Sequence, residues 1–183
     1  MSTSRVPYIK REELSPEGQA AWDKIAAGRG KVFPNYQQLL NRPELAARVC
    51  AVGDFILHEA KIPNDDRQLS VLTIARELNC QYEWSVHEPM AEAAGVRPQA
   101  IEAIRHRHYD KLTPRERLFA DCSREILHNN VPDSTWRALE QILGRQAMVD
   151  FVVHVGFYAM ICYCMDAFKL DLNPGMQPLL PIP

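Results

Sequence analysis

The sequence carries no surplus of positive charge. Its 183 residues hold 21 Lys and Arg against 23 Asp and Glu, a formal net charge of −2. A nucleic-acid surface needs a basic patch or a strongly basic domain, so nucleic acid is not an expected partner. The chain also lacks a run of about 20 apolar residues, the length a membrane span needs. Its most apolar stretch, "FVVHVGFYAMICYCM", is 15 residues long, contains His154, and is bounded by Asp150 and Asp166. Such a stretch reads as a buried core or subunit-interface helix, with no membrane role expected. The opening "MSTSRVPYIKREEL" is polar and has no basic-then-apolar leader. Cysteine is sparse and odd in number, at five residues, which suits free thiols in a reducing cytoplasm. There is no glycine-rich phosphate loop and no Gly-x-Ser-x-Gly elbow. Alternating apolar and polar runs bounded by turn signals are missing too, which removes the usual sign of strands. No repeat of solenoid period and no low-complexity block occurs.

What is present is helical punctuation. The apolar fraction of 46% and charged fraction of 24% are ordinary for a globular chain. Ser15-Pro16-Glu17 is a helix start, and Gly28 and Gly30 supply its stop. "KVFPNYQQLL" leads through a linker into a short helical turn. Pro43-Glu44 opens a helix whose Leu45, Val49, Val52, Phe55 and Ile56 follow helical spacing. Pro63-Asn64-Asp65-Asp66 opens the next, and Pro98 begins "PQAIEAIRHRH". Thr113-Pro114-Arg115-Glu116 has the form of a capping box. Asp133 is expected to cap a long helical run, broken near Gly144 and reaching Leu170. The tail "LNPGMQPLLPIP" holds four prolines and cannot be helical; it is expected to lie extended over the body or a neighbouring subunit. The fold class is all-α.

Residues 77–95, "ELNCQYEWSVHEPMAEAAG", carry the densest chemistry. At 100° per residue Cys80, Glu83, Trp84 and His87 fall on one helical face. Glu83 and His87 stand at i, i+4 and can meet. A carboxylate that orients an imidazole is a general acid–base arrangement. If the helix breaks at Asn79, acting as a cap, Cys80 lies at a helix start, where the dipole favours a negative sulfur. The same residues also suit a core helix, with Cys80 a small hydrophobe, Trp84 a packing anchor and Glu83–His87 a satisfied polar pair. Spacing does not separate the two.

Other residues have plainer readings. Cys162 and Cys164 are two apart, point about 200° apart on a helix, and read as packing residues, as do Cys50 and Cys122. His106 and His108 sit at a helix end, where cations are favoured, and no second ligand pair with zinc spacing accompanies them. His154 reads as a buried histidine with a partner, or as a pocket-lining group. No metal and no cofactor is expected.

"ARELNCQYEWSVHEPMAEAAGV" resembles the carboxymuconolactone decarboxylase and AhpD-like alkylhydroperoxidase superfamily, in particular divergent members with Tyr-Glu-Trp-x-x-His before an Ala-rich turn and Gly. "IPNDDRQLSVLTIARELN" resembles the helix before the family motif, and "FYAMICYCMDAFKL" its last helix. The resemblance implies an AhpD-like bundle of about seven to nine helices, assembled as dimers, trimers or hexamers with a site near a subunit contact. It divides the chain into an N-terminal helix and linker (1–35), the family domain (36–172) and a proline-rich tail (173–183). The family's peroxidase branch carries Cys-x-x-Cys-x-x-x-His and an earlier relay glutamate. Here Cys80 matches the first cysteine and His87 the histidine, while Glu83 stands at the second cysteine and Gln68 at the relay position. That pattern points toward proton transfer.

The expected function is therefore a small cytoplasmic enzyme acting on a small organic acid or lactone. His87 would be its acid or base, oriented by Glu83, with Cys80 and Trp84 lining the pocket and Arg76 holding an anionic group. Arg76 paired to an acid is the plainer reading of that residue. Two alternatives are a one-cysteine peroxidase using Cys80 and a non-catalytic oligomeric binding module.

Overall fold

Prolines and caps set the helix boundaries, and the computed structural model, which describes residues 2–182, shows where each one acts. Among the described residues every regular element is helical: α1 (Pro16–Arg29), α2 (Pro34–Leu39), α3 (Pro43–His58), α4 (Asn64–Glu77), α5 (Gln81–Ala93), α6 (Pro98–Arg105), α7 (Pro114–Leu127), α8 (Asp133–Leu143) and α9 (Arg145–Phe168), with single 3₁₀ turns at Arg11–Glu13 and Tyr109–Lys111. Ser15 caps α1 by accepting from the Gly18 N–H at 3.3 Å. At α7 the Thr113 hydroxyl accepts from the Glu116 N–H at 3.3 Å, and the Glu116 carboxylate accepts from the Thr113 N–H at 2.8 Å. This is the reciprocal box that its sequence announces. Two boundaries differ from expectation. Asp133 is the first residue of α8, with Pro132 at the cap. The break at Gly144 (φ 77°) is real, but α9 stops at Phe168, where Lys169 turns left-handed (φ 52°) and ends the helix before Leu170.

The chain forms two compact units. The first comprises the described residues up to Ala60 with Cys164–Asp171. Its core gathers Ile25, Val32, Tyr36, Leu39, Leu40, Ala46 and Cys50, with Trp22 and Phe168 packed against them. The inward face of α3 is Ala46, Cys50, Gly53 and Ile56. Leu45, Val52 and Phe55, which share the helical spacing, are exposed. A periodic apolar stripe marks an amphipathic helix without saying which neighbours cover it.

The second unit comprises Lys61–Tyr163 and the described residues from Leu172 onward. Its centre is α4, packed against α5, α6 and α7. Every residue of α4 from Gln68 through Arg76 is buried, so polar side chains there must find partners inside. Ser70 and Ser123 share a hydrogen bond at 2.8 Å between α4 and α7, and the Thr73 hydroxyl donates to the Leu69 carbonyl at 2.9 Å. α9 buries Phe151, Val155, Tyr158, Ile161 and Cys162, and leaves Val149, Val153, Met160 and Tyr163 exposed. By length and composition alone it could cross a membrane, yet half of its apolar window is buried in protein. The proline-rich tail runs along α5: Ser85 donates to the Gln177 carbonyl at 3.0 Å, and the Leu180 N–H donates to Gln81 at 3.2 Å. Pro89 inside α5 has no N–H to offer the preceding turn.

Candidate functional site

The site is assembled from α4, α5 and the part of α9 before Cys164, all within the second unit. Its geometry begins at the α4–α5 corner. Asn79 adopts a left-handed conformation (φ 54°). The Cys80 N–H then reaches back to the Ala75 carbonyl at 2.8 Å, and the Asn79 N–H to Arg76 at 3.3 Å. This paired pattern satisfies the last carbonyls of α4, and asparagine is among the few residues that tolerate it. Asn79 thus ends α4 and does not cap α5. Cys80 itself is the N-cap of α5, in extended conformation. The expected break is present, one residue later than the asparagine cap would place it.

Glu83 lies in the first turn of α5 and His87 one turn on. His87 Nε2 is 3.0 Å from Glu83 Oε1, and both residues are about 95% buried, at 6% and 5% exposure. On the far side of the ring, His87 Nδ1 donates to Gln68 Oε1 at 2.8 Å. An amide oxygen can only accept, so Nδ1 carries a proton. A second proton must then lie between Nε2 and the Glu83 carboxyl for those atoms to stand in hydrogen-bond contact. Turning the Gln68 amide end for end would reverse this: its N–H would donate to Nδ1, and Nε2–H to the carboxylate. Gln68, His87 and Glu83 therefore form a short relay that can hold one proton or two.

The edge of the His87 ring meets Tyr158, with centroids 5.3 Å apart and planes perpendicular. Tyr158 also meets His154 at 4.8 Å, and His154 stacks on Phe151 at 6.0 Å. His154 is fully buried, and neither ring nitrogen has a hydrogen-bond partner. Burial, with smaller contributions from the charges of Arg67 and His87, pulls its pKa down to about 3. It is a neutral imidazole in an aromatic setting.

The remaining candidates separate. Cys80 is buried, and its sulfur is hydrogen-bonded with the thiol of Cys162 on α9. That contact first, then burial and the nearby charges of Cys80 and Glu83, holds the Cys162 thiol well above the ordinary range. Trp84 is completely buried; its indole N–H donates to Glu88 at 2.6 Å, and the Arg105 guanidinium, itself paired with Glu88, lies 5.1 Å over the ring. Those contacts are the packing-anchor arrangement. Arg76 donates to Asn79 Oδ1 at 2.6 Å, and burial first, then the charge of Arg107, lowers its pKa. Arg107 donates to the Arg76 carbonyl at 2.8 Å. These contacts tie Arg76 to the helix corner. Among the other thiols, burial pushes Cys122 up to about 12, and Cys50 lies against Arg29 at 3.4 Å in the first unit. His106 bonds Glu102 on its own helix at 2.8 Å and stacks on His108. Among the described residues no group of three or more His, Cys, Asp or Glu is placed to hold a metal ion.

Sequence reasoning took Cys162 for packing and gave Tyr158 no role. A signal was available. His154, Tyr158 and Cys162 stand at i, i+4 and i+8, which keeps polar groups on one face of the most apolar helix.

Residues 43–123 match the model of the carboxymuconolactone decarboxylase family. No curated protein matches the sequence. Among solved structures, a peroxidase-related protein with an alkylhydroperoxidase AhpD core from Ralstonia eutropha JMP134 is similar over 94% of both chains, with a TM-score of 0.76 at 17% identity. The debrominase Bmp8, in a cysteine-to-alanine variant bound to 2,3,4-tribromopyrrole, is similar over 94% of both chains, with a TM-score of 0.73 at 12% identity. Its ligand-free form covers 92% of both, with a TM-score of 0.71 at 13% identity. These identities establish a shared fold, and the match over residues 43–123, which runs from α3 through most of α7, likens that part of the chain to the carboxymuconolactone decarboxylase family.

Proposed function

We propose that this protein is an acid–base enzyme acting on a small organic acid or lactone, with His87 as the group that gives or takes the proton. The observation that carries this reading is the buried Gln68–His87–Glu83 relay, with contacts of 2.8 and 3.0 Å on opposite ring nitrogens. Gln68 and Glu83 fix the ring and change its proton inventory, so they act as positioning residues. Burial strengthens the electrostatic coupling within the relay, because little water competes for its hydrogen bonds. A small ring as substrate is consistent with the 2,3,4-tribromopyrrole held by the same fold in Bmp8. One-cysteine peroxide chemistry at Cys80 is the second reading, favoured by the position of that sulfur at the cap of α5. The non-catalytic module is the third; it needs the relay to be structural only.

The exposed stripe Val149, Val153, Gly156, Met160 and Tyr163 alternates steps of four and three along α9, the pattern of a helix–helix seam. We propose that it joins copies of the chain in solution. Free thiols at all five cysteines suit the proposed cytoplasmic setting.

The test of the acid–base reading is a screen of lactones and small organic acids against wild type, His87→Ala, Glu83→Gln and Cys80→Ser. Loss of general acid–base help is expected to lower turnover by roughly 10²–10⁴-fold in the first two variants, with a milder effect in the third. Equal turnover in all four proteins would defeat it. Binding of a screened compound that survives His87→Ala, with no turnover in wild type, would favour the non-catalytic module.

A further inference from the structure

The first unit holds a cavity of about 510 Å³ between the N-terminal halves of α1 and α3. That is the size of a small-molecule site, for which roughly 300–1,000 Å³ is usual. Its apolar lining is made of small residues, Gly18 and Ala21 from α1 and Ala47 and Ala51 from α3. Small residues on facing helices ordinarily let the backbones close up. The two helices do meet, and they bury Ile25, Ala46 and Cys50 in the core of this unit. Yet Ala21 and Ala47 are only half-buried and Ala51 is exposed, so these side chains border open space. The rim carries Lys24, Arg42 and Arg48 against Glu17 and Glu44, an excess of one positive charge. Both acids are already engaged. Glu44 stands 3.6 Å from Arg48, one turn on along α3. Glu17 lies in the first turn of α1, where the helix dipole favours a carboxylate; its own backbone N–H, then the Ser15 hydroxyl, hold its pKa below the ordinary value. Arg42 is the N-cap of α3 and makes no capping bond with its side chain. Among the described residues neither Arg42 nor Lys24 has an ion-pair partner.

We infer that this cavity binds an organic monoanion with an apolar body, a medium-chain or aromatic carboxylate. Lys24 and Arg42 meet the carboxylate with charge-assisted hydrogen bonds. The apolar body lies over Ala21, Ala47 and Ala51. Apolar surface removed from water supplies most of the affinity, and the two cations select the sign of the charge. One negative charge neutralises the rim, whereas a neutral ligand of the same shape leaves both cations without a partner and an organic cation is repelled. The inference does not rest on the proton relay. The cavity belongs to the first unit, and Gln68, Glu83 and His87 belong to the second.

The probe is 8-anilino-1-naphthalenesulfonate, a monoanion on an apolar ring body whose fluorescence rises when it leaves water. N-phenyl-1-naphthylamine is the same ring system without the charge. The full-length protein is titrated with each dye. The sulfonate is expected to bind and to be displaced by octanoate. Lys24→Gln combined with Arg42→Gln, at two exposed positions, is expected to weaken the sulfonate by roughly five- to tenfold and to leave the neutral dye unchanged. Ala47→Phe fills the cavity and is expected to weaken both dyes; Ala51→Leu takes its place if that variant fails to fold by circular dichroism. His87→Ala is expected to bind both dyes as the wild type does, which keeps the outcome separate from the lactone screen. Absence of sulfonate binding, failure of octanoate to displace it, binding that survives the filled cavity, equal loss of both dyes in the double variant, or loss in His87→Ala overturns the assignment.

Discussion

Replacing His154 with phenylalanine is expected to flatten the acid side of the stability profile. His154 is fully buried between Phe151 and Tyr158, and its pKa falls from 6.5 to about 3, chiefly through burial. In the unfolded chain the imidazole takes a proton near its ordinary value; in the folded chain it stays neutral until about pH 3. A depressed folded pKa means stability is complete above the unfolded value and is lost as pH falls toward the folded one. The slope between them is about 1.4 kcal/mol per pH unit. Over the whole window the loss is about 5 kcal/mol, and between pH 7 and pH 5 about 2 kcal/mol. The phenyl ring has no proton to take, and it removes two buried nitrogens that have no partner, each of which costs roughly 1–3 kcal/mol. The variant should therefore match or exceed wild type at pH 7 and pull ahead by about 2 kcal/mol at pH 5. Urea denaturation of both proteins at several pH values measures this, since every other titrating group is common to the two. Parallel profiles would refute the account. So would a variant markedly weaker at pH 7, because that would mean the His154 nitrogens make a favourable contact.

Two further outcomes test the helix corner and the exposed seam. Asn79→Val places a β-branched residue at φ 54° and should destabilise by roughly 1–2 kcal/mol more than Asn79→Gly in urea denaturation; both lose the acceptor for Arg76, so equal losses would show that the side chain and not the backbone matters. Val153→Glu puts a charge in the proposed seam and should reduce the sedimenting mass to that of one chain; a wild type that already sediments as one chain removes the basis for self-association through α9.

The helices were legible because their boundaries are written locally. Ser15, Pro43, Pro63 and the Thr113–Glu116 box act within one turn of where they stand, so no distant residue can override them. The relay was partly legible for the same reason: Glu83 and His87 are four apart on one helix. Its third member, Gln68, was visible only as a departure from the relay glutamate of the family. What the sequence hid lies between helices. Nothing in "NCQYEWSVH" indicates that the sulfur of Cys80 meets α9, because that contact depends on how α5 and α9 cross. The helical spacing of Leu45, Val49, Val52, Phe55 and Ile56 did not say which of them the core covers, and Leu45, Val52 and Phe55 are exposed. Trp84 had two readings, packing anchor and pocket wall, and spacing could not show that its indole N–H goes to Glu88, an acid four residues on.

The burial of α4 on every side from Gln68 to Arg76 has a consequence for how anything could reach the relay. The stretch from Gln68 to Arg76 has no solvent face, and its amide hydrogens should exchange only when much of the second unit unfolds. Gln68 thus stands on a fully buried stretch of helix. Whatever motion admits a small molecule to His87 has to come from elements other than the buried stretch of α4, such as α5 and α9, which carry Glu83 and Tyr158.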